Sequence, residues 1–385
     1  MSQTHLELSH LDKFYDAHIH AVKDLSLTVA KGEIIALLGS SGCGKTSTLR
    51  MIAGFEDVTH GTITLAGKPV HQLPPAKRGV AMAFEGYSLY PPLTVRDNIA
   101  FALKGSNLSA GEAENRVNEL ARLLVIEDIL DAYPASLSGG QQQRVSLARA
   151  LARDAELFLL DEPMGQLEPR LRTLLRGHIK HYLKSRGMTA ILVTHDQTEA
   201  NALADRIAVM EGGILMQYAT PQALKAEPAN LFVGTFIGEP PMNVLPVKIT
   251  RQGSNVEIVL RENRSDGEES RLADDAFPTL HYPGSAFSPA VLQRILTHRH
   301  LMMGIRPYAV HLQNTGLAGK VVANQWLGDQ SHLAIRLGNH TLIAISHQRE
   351  SLKAGDTARI HIDTGQLHFF DRDSGEALIQ GGGGT

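Results

Sequence analysis

Residues 34–46 read IIALLGSSGCGKT, a short apolar run that ends in glycine, serine and a single lysine followed by threonine. Residues Gly39 to Thr46 match the pattern G-x-x-x-x-G-K-[ST], in which backbone amides of a glycine-rich turn converge on phosphate oxygens at the start of a helix. The apolar run Ile34 to Leu38 predicts a buried strand before the turn, and Lys45 to Ala53 predicts the helix after it. Gly39, Ser40, Ser41, Gly42, Cys43 and Gly44, with Lys45, Thr46 and Ser47, therefore form a candidate nucleotide cradle. Lys45 would reach the outer phosphates of ATP, and the Thr46 hydroxyl would be a ligand of Mg²⁺.

Such a cradle requires a carboxylate at the end of a second buried strand. Residues 156–162 read ELFLLDE, where Asp161 is placed to hold Mg²⁺ and Glu162 to polarise a water attacking the γ-phosphate. Further strands are predicted at Gly79 to Phe84 and Ala190 to Thr194, with helices at Pro169 to Ser185 and Gln197 to Leu203. Strands alternating with helices mark a layered α/β domain. The texture changes at Gly238 to Asn243, GEPPMN, because adjacent prolines lack amide donors and restrict the residue before them. Beyond that point, six short strands are predicted: Pro246 to Thr250, Val256 to Leu260, Ala318 to Ala323, His332 to Leu337, His340 to Ser346 and Ala358 to Ile362. Their spacing suits a small β-barrel. The domain reading is residues 1–238, then 239–380, then a flexible tail at 381–385, with the charged stretch Glu262 to Arg271 as a solvated loop.

Composition narrows the function classes. A net charge of -3 offers no electrostatic reason to expect a nucleic-acid partner. The single cysteine, Cys43, excludes an internal disulfide and suits a reducing compartment. The N-terminal MSQTHLELSH has neither a basic start nor an apolar core of an export signal, and no apolar run approaches the ~20 residues of a spanning helix.

The discriminating segment is LSGGQ at Leu137 to Gln141, continuing as QQRVSLARAL. Together with the motifs above it resembles the signature of the ABC ATPases. The resemblance implies that Ser138, Gly139, Gly140 and Gln141 open a helix toward nucleotide held by an opposing subunit. It also makes His195, in VTHDQTEA, similar to the switch histidine that contacts the γ-phosphate, and Tyr15, in KFYD, similar to the aromatic that stacks on adenine, although Phe14 adjoins it. The implied fold is a P-loop nucleotide-binding domain, a mixed sheet with a helical signature subdomain, followed by an all-β OB-like (TOBE) domain. Pro240 to Asn243, Gly304 to Val310 and Leu367 to Asp371 carry the latter resemblance, which is closest to carbohydrate importers of the maltose and glycerol-phosphate type. Implied partners are transmembrane permease subunits, a second ATPase subunit and, indirectly, a solute-binding protein. The implied location is the cytoplasmic face of the inner membrane, held peripherally.

Two places depart from the family pattern. Glu85 stands where a Mg²⁺-contacting glutamine is usual, and Gly165-Gln166-Leu167-Glu168 replaces SxLD. A carboxylate at position 85 can still bind a cation but adds negative charge beside the γ-phosphate. The sequence is thus compatible with an equal pair of ATPase subunits or with an unequal pair containing a different partner chain. A non-transport ABC ATPase is the remaining alternative. It is disfavoured because neither a second nucleotide domain nor a coiled-coil insertion is present.

Overall fold

The computed structural model describes residues 3–16, 18–261 and 277–380. The charged stretch 262–271 and the tail 381–385 lie outside the described residues. The chain forms two compact units, residues 1–221 and 222–385.

In the first unit, β1 (Thr4–Tyr15), β2 (Ile19–Ala30), β4 (His60–Leu65) and β5 (Lys68–Pro69) make an antiparallel sheet in the order β2-β1-β4-β5. The second sheet contains β3 (Ile34–Gly39), β6 (Val80–Ala83), β7 (Leu157–Asp161), β8 (Ala190–Thr194), β9 (Arg206–Glu211) and β10 (Ile214–Ala219), in the order β10-β9-β3-β8-β7-β6. Strands β3, β6, β7, β8 and β9 run parallel, and β10 pairs antiparallel to β9. Every residue of β3, β7 and β8 is buried, which is why these strands read as continuous apolar runs rather than alternating ones. Helix α1 (Lys45–Ala53) lies between the sheets: Leu49, Met51 and Ile52 share one core with Leu6, Leu25 and Ile63 of the antiparallel sheet and with Ile35, Leu159 and Ile191 of the parallel one.

A helical layer consists of α2 (Val95–Ala102), α3 (Ala110–Leu124) and α4 (Gly139–Ala152), with α4 packed on α2, α3 and β6. Helices α5 (Pro169–Ser185) and α6 (Gln197–Leu203) complete the crossovers to β8 and β9. The predicted helices at α1, α5 and α6 occur with the expected bounds. Strand order has the decisive consequence for chemistry. Because β3, β8, β7 and β6 are adjacent and parallel, the segments after Gly39, Thr194, Asp161 and Ala83 all leave the same edge of the sheet.

Among its described residues the second unit is β-rich, with the short helices α7 (Pro221–Ala226), α8 (Leu231–Phe236) and α9 (Pro289–Thr297). One sheet contains β11 (Asn243–Gln252), β12 (Asn255–Leu260), β13 (Thr279–Pro283) and β14 (Leu301–Ile305), with β19 and β20 given below. The other holds β15 (Val310–Trp326), β16 (Ser331–Leu337), β17 (His340–Ser346) and β18 (Thr357–Ile362). Strands β19 (Leu367–Asp371) and β20 (Ala377–Ile379) return to the first sheet, giving the order β13-β12-β11-β14-β19-β20 against β17-β16-β15-β18. The six predicted strands are all present, distributed over two sheets that share one core including Ile258, Met303, Leu333 and Ile360. The prediction at Ala318 to Ala323 covers only part of β15, whose register to β18 shifts between Leu312 and Leu317.

Arg306 holds the start of this unit together. Its guanidinium is 2% exposed and donates to the carbonyls of Lys225, Gly234 and Ile237 at the ends of α7 and α8. A helix end leaves carbonyls without partners, and a buried arginine satisfies several at once. Arg306→Met keeps the apolar stem and removes the donors, so it should destabilise this unit by ~2–4 kcal/mol. Urea unfolding followed by fluorescence of Trp326, the only tryptophan, checks this directly.

Candidate nucleotide site

Strand β3 ends at a glycine for a steric reason. A Cβ on Gly39 would lie 2.1 Å from the Met210 carbonyl oxygen, so only glycine lets the strand end pass β9 this closely. The loop returns to α1 through Gly44 at φ +98°, where a Cβ would meet the Ala21 carbonyl oxygen at 2.4 Å. Gly44 is the N-cap of α1 and offers no capping side chain, and the first turn carries no acidic residue. The helix start is therefore left to an external acceptor. Lys45 is 8% exposed and folds back over the loop, its Nζ donating to the Gly39 and Ser40 carbonyls at 2.8 Å each. The Cys43 thiol is 3.6 Å from the same ammonium, and burial holds its pKa above the usual thiol value.

The predicted residues around this cradle converge. The Tyr15 hydroxyl donates to Ser47 Oγ at 3.2 Å, placing its ring at the start of α1, whereas Phe14 is stacked on His20 with centroids 3.8 Å apart. Of the two neighbouring aromatics, Tyr15 stands at the cradle. Asp161, the last residue of β7, is 5% exposed, and its Oδ1 is buried with no partner. Burial first, then the negative charges of Glu85 and Glu162, push its pKa up to about 6, against the pull of Arg50 and Lys45. Glu162 follows with φ +47°, a left-handed backbone that is costly for a glutamate and turns it out of the strand direction. Its Oε1 lies 3.0 Å from His195 Nδ1, while its Oε2 is buried and unpartnered. Cradle, carboxylates and histidine thus form one cluster of half-satisfied polar groups at the sheet edge.

A family model described as ABC transporter matches residues 22–165, and one described as TOBE domain matches residues 303–370. ABC transporter ATP-binding protein YcjV of Escherichia coli K12 is 37% identical over 380 residues, 97% of this chain and 99% of its own length. The chain belongs to the ATP-binding subunits of ABC transporters. The sn-glycerol-3-phosphate import ATP-binding protein UgpC of Cupriavidus metallidurans is 38% identical, covering 97% of this chain and 98% of the relative. The trehalose import ATP-binding protein SugC of Mycobacterium tuberculosis H37Rv is 36% identical over 96% and 97%. Among solved structures, a dimeric post-hydrolysis ATP-binding cassette, MJ0796 with ADP and phosphate, superposes with a TM-score of 0.52 at 27% identity. It covers 56% of this chain and 98% of its own. As an ABC ATPase subunit the protein binds ATP. No helix among the described residues is long and apolar enough to cross a membrane.

The signature residues of this ABC subunit sit apart from its own cradle. Ser138 caps α4 by accepting from the Gln141 amide at 3.4 Å, and Gln141 returns the contact by accepting from the Ser138 amide at 2.9 Å. The surfaces beside Gly139 and Gly140 are occupied by Gln166, Leu167 and Tyr87. Gln143, one turn into α4, escaped the motif reading. Its Nε2 donates to the Glu162 carbonyl at 2.7 Å and its Oε1 accepts from the Gln166 amide at 3.0 Å, so the signature helix is tied to the loop carrying Glu162. Arg172 also went unread: it bonds Asp196 at 3.2 Å and the carbonyls of Gly165 and Leu167, linking the altered 165–168 loop to the turn after β8. Hydrogen bonds such as those of Gln143 and Arg172, between segments distant in sequence, leave no local pattern to read. Glu199 is a third unread residue, 2% exposed beneath that turn and bonded to it locally through Thr194 and Asp196.

The raised Asp161 pKa carries a pH signature. Its folded value of about 6 lies above the ordinary aspartate value of 3.8, so the folded chain binds the proton more tightly than the unfolded one. Its stabilising effect is complete below ~4 and is lost as pH rises through ~6. Asp161→Asn should therefore stabilise the ligand-free chain by on the order of 1–3 kcal/mol above pH 7, an advantage that disappears below ~4. Thermal unfolding of both chains across that range tests it.

Proposed function

We propose that this chain energises import of a carbohydrate or polyol-type solute, with two ATPase subunits enclosing ATP between the Lys45 cradle of one and the Ser138–Gln141 signature of the other. The observation that carries the proposal is the cluster at the sheet edge, where Lys45, Asp161 and the Glu162–His195 contact meet an uncapped helix start. Support for a solute of this class comes from relatives named for sn-glycerol-3-phosphate and trehalose import, and the enclosed arrangement draws on a dimeric relative holding ADP and phosphate. A signature that faces Gln166 and Tyr87 in its own chain is placed to serve a nucleotide bound elsewhere.

The unpartnered oxygen of Asp161 fits a divalent cation or its water shell. Among the described residues no set of three or more His, Cys, Asp or Glu side chains could hold a metal alone, so Mg²⁺ would take its other ligands from phosphate oxygens, Thr46 and water. Mg²⁺, with Glu85 beside Asp161, would neutralise charge on the outer phosphates. Glu162 accepts the proton of the attacking water as oxygen bonds to the γ-phosphorus and ADP departs with the bridging oxygen. Its Oε2 is the free position for that proton. His195, with a side chain three-quarters exposed, holds Oε1 and would offer its ring to the γ-phosphate.

Coupling to the membrane subunits is assigned to the segment from Glu85 to Pro92. It borders a cavity of about 330 Å³ lined by Phe84, Tyr87, Tyr90, Phe101 and Arg149. The Arg149 guanidinium stacks 4.6 Å from the Tyr90 ring, whose other neighbour is Phe101 at 4.7 Å. Such a groove offers apolar walls and a cation to a loop of a permease subunit at the cytoplasmic face of the membrane. A solute-binding protein acts on the far side of those subunits, and no nucleic acid takes part.

Glu162→Gln preserves size while removing the proton acceptor. Nucleotide affinity should persist while turnover of the reconstituted transporter falls ~10²–10⁴-fold. Unchanged turnover would remove Glu162 from the role of base.

A further inference from the structure

We propose that Glu199 is a positioning residue for the Glu162–His195 pair: through the Thr194 hydroxyl its buried carboxyl fixes the turn that carries His195 and supplies a negative charge behind it. This rests on the hydrolytic reading of that pair. Three hydrogen bonds define the device. The Thr194 Oγ1 donates to Glu199 Oε2 at 2.9 Å and accepts from the Asp196 amide at 3.0 Å, so one hydroxyl spans His195. The Asp196 carboxylate in turn accepts from the Glu199 amide at 3.0 Å, closing the loop at the start of α6.

Burial makes Glu199 an unusual choice for a purely structural anchor. It is 2% exposed, its Oε1 is buried with no partner, and among the described residues no arginine or lysine bonds it directly. An uncompensated buried carboxyl is expensive, and a glutamine would satisfy Thr194 as well without ever charging. The groups acting on it from its surroundings are Glu162 and Asp196, which disfavour its charge, Arg172, which favours it, and Thr194. Burial dominates these influences and carries the Glu199 pKa up to about 7. Charge at Glu199 therefore places a negative potential behind the turn that carries His195.

The test separates charge from anchoring. Glu199→Gln keeps an acceptor for Thr194 and removes the charge; Thr194→Val removes the hydroxyl and keeps the volume. In the ligand-free full-length chain, the Glu199 carboxyl is titrated by NMR with carboxyl-labelled glutamate, assigned through Glu199→Gln, and should show a midpoint raised to about 7. In the reconstituted transporter, Glu199→Gln should leave KM for ATP unchanged and flatten the rise of kcat between pH 6 and pH 8, taken as roughly the span about a pKa near 7. Thr194→Val should lower kcat at least tenfold at every pH with KM retained. A Glu199 carboxyl that titrates in the ordinary carboxylate range overturns the inference, as does a kcat profile that superimposes on that of the unsubstituted chain. Because the NMR titration needs no turnover, a chain without ATPase activity would contradict the proposed function while leaving the Glu199 measurement decisive.

Discussion

An oxygen atom of Asp161 that is buried and bonded to nothing is the constraint on which the rest of the structure depends. It sits beside Glu85 and Glu162, so negative charge accumulates at the end of β7 with Lys45 and Arg50 as the nearby cations acting on it. Lys45 meanwhile spends its own hydrogen bonds on the loop that carries it. The strands beneath it, β3, β7 and β8, are buried throughout their length. In the proposed mechanism, nucleotide with its cation would give these buried polar groups partners they lack within the chain.

The same logic extends to the departures from the family pattern. Glu85 adds charge where an amide is usual and raises the demand for a cation near Asp161. In the 165–168 loop, which departs from the family pattern SxLD, Gln143 and Arg172 hold the backbone to α4 and to the turn after β8. These contacts are made to the main chain of the loop and do not depend on its side chains.

Much of this was legible in the sequence because the informative residues are local. A strand, a glycine turn and a helix start occupy thirteen consecutive positions from Ile34 to Thr46, and each carries its own physical signal. The antiparallel sheet of β1 and β2 was not legible: register shifts between Leu8 and Leu11 and again before Lys13 break the alternation that announces a half-buried strand. Helix α3 did leave a mark, the Ser109–Glu112 capping box, which the motif reading passed over. In the second unit, β15 was only partly visible because its shifted register to β18 divides it into two patterned halves. Gln143 and Arg172 were hidden for a different reason, since each bonds a segment about twenty residues away that only the folded chain brings near, while the partners of Glu199 are local but its burial is not written in the sequence. The domain division shows both sides of this. The proline-rich turn at Gly238 is an evident break in composition, but α8 packs with the later unit because Arg306 binds its carbonyls.

The central claim is that one triphosphate is held from two chains. A structure of the assembled transporter carrying Glu162→Gln and trapped with MgATP measures this most directly. The account predicts Lys45 of one ATPase subunit and the backbone around Gly139 of the opposing subunit on the same γ-phosphate, with Asp161 facing the cation. A nucleotide held by the Lys45 cradle alone, with the opposing signature turned away in every loaded assembly, would contradict it.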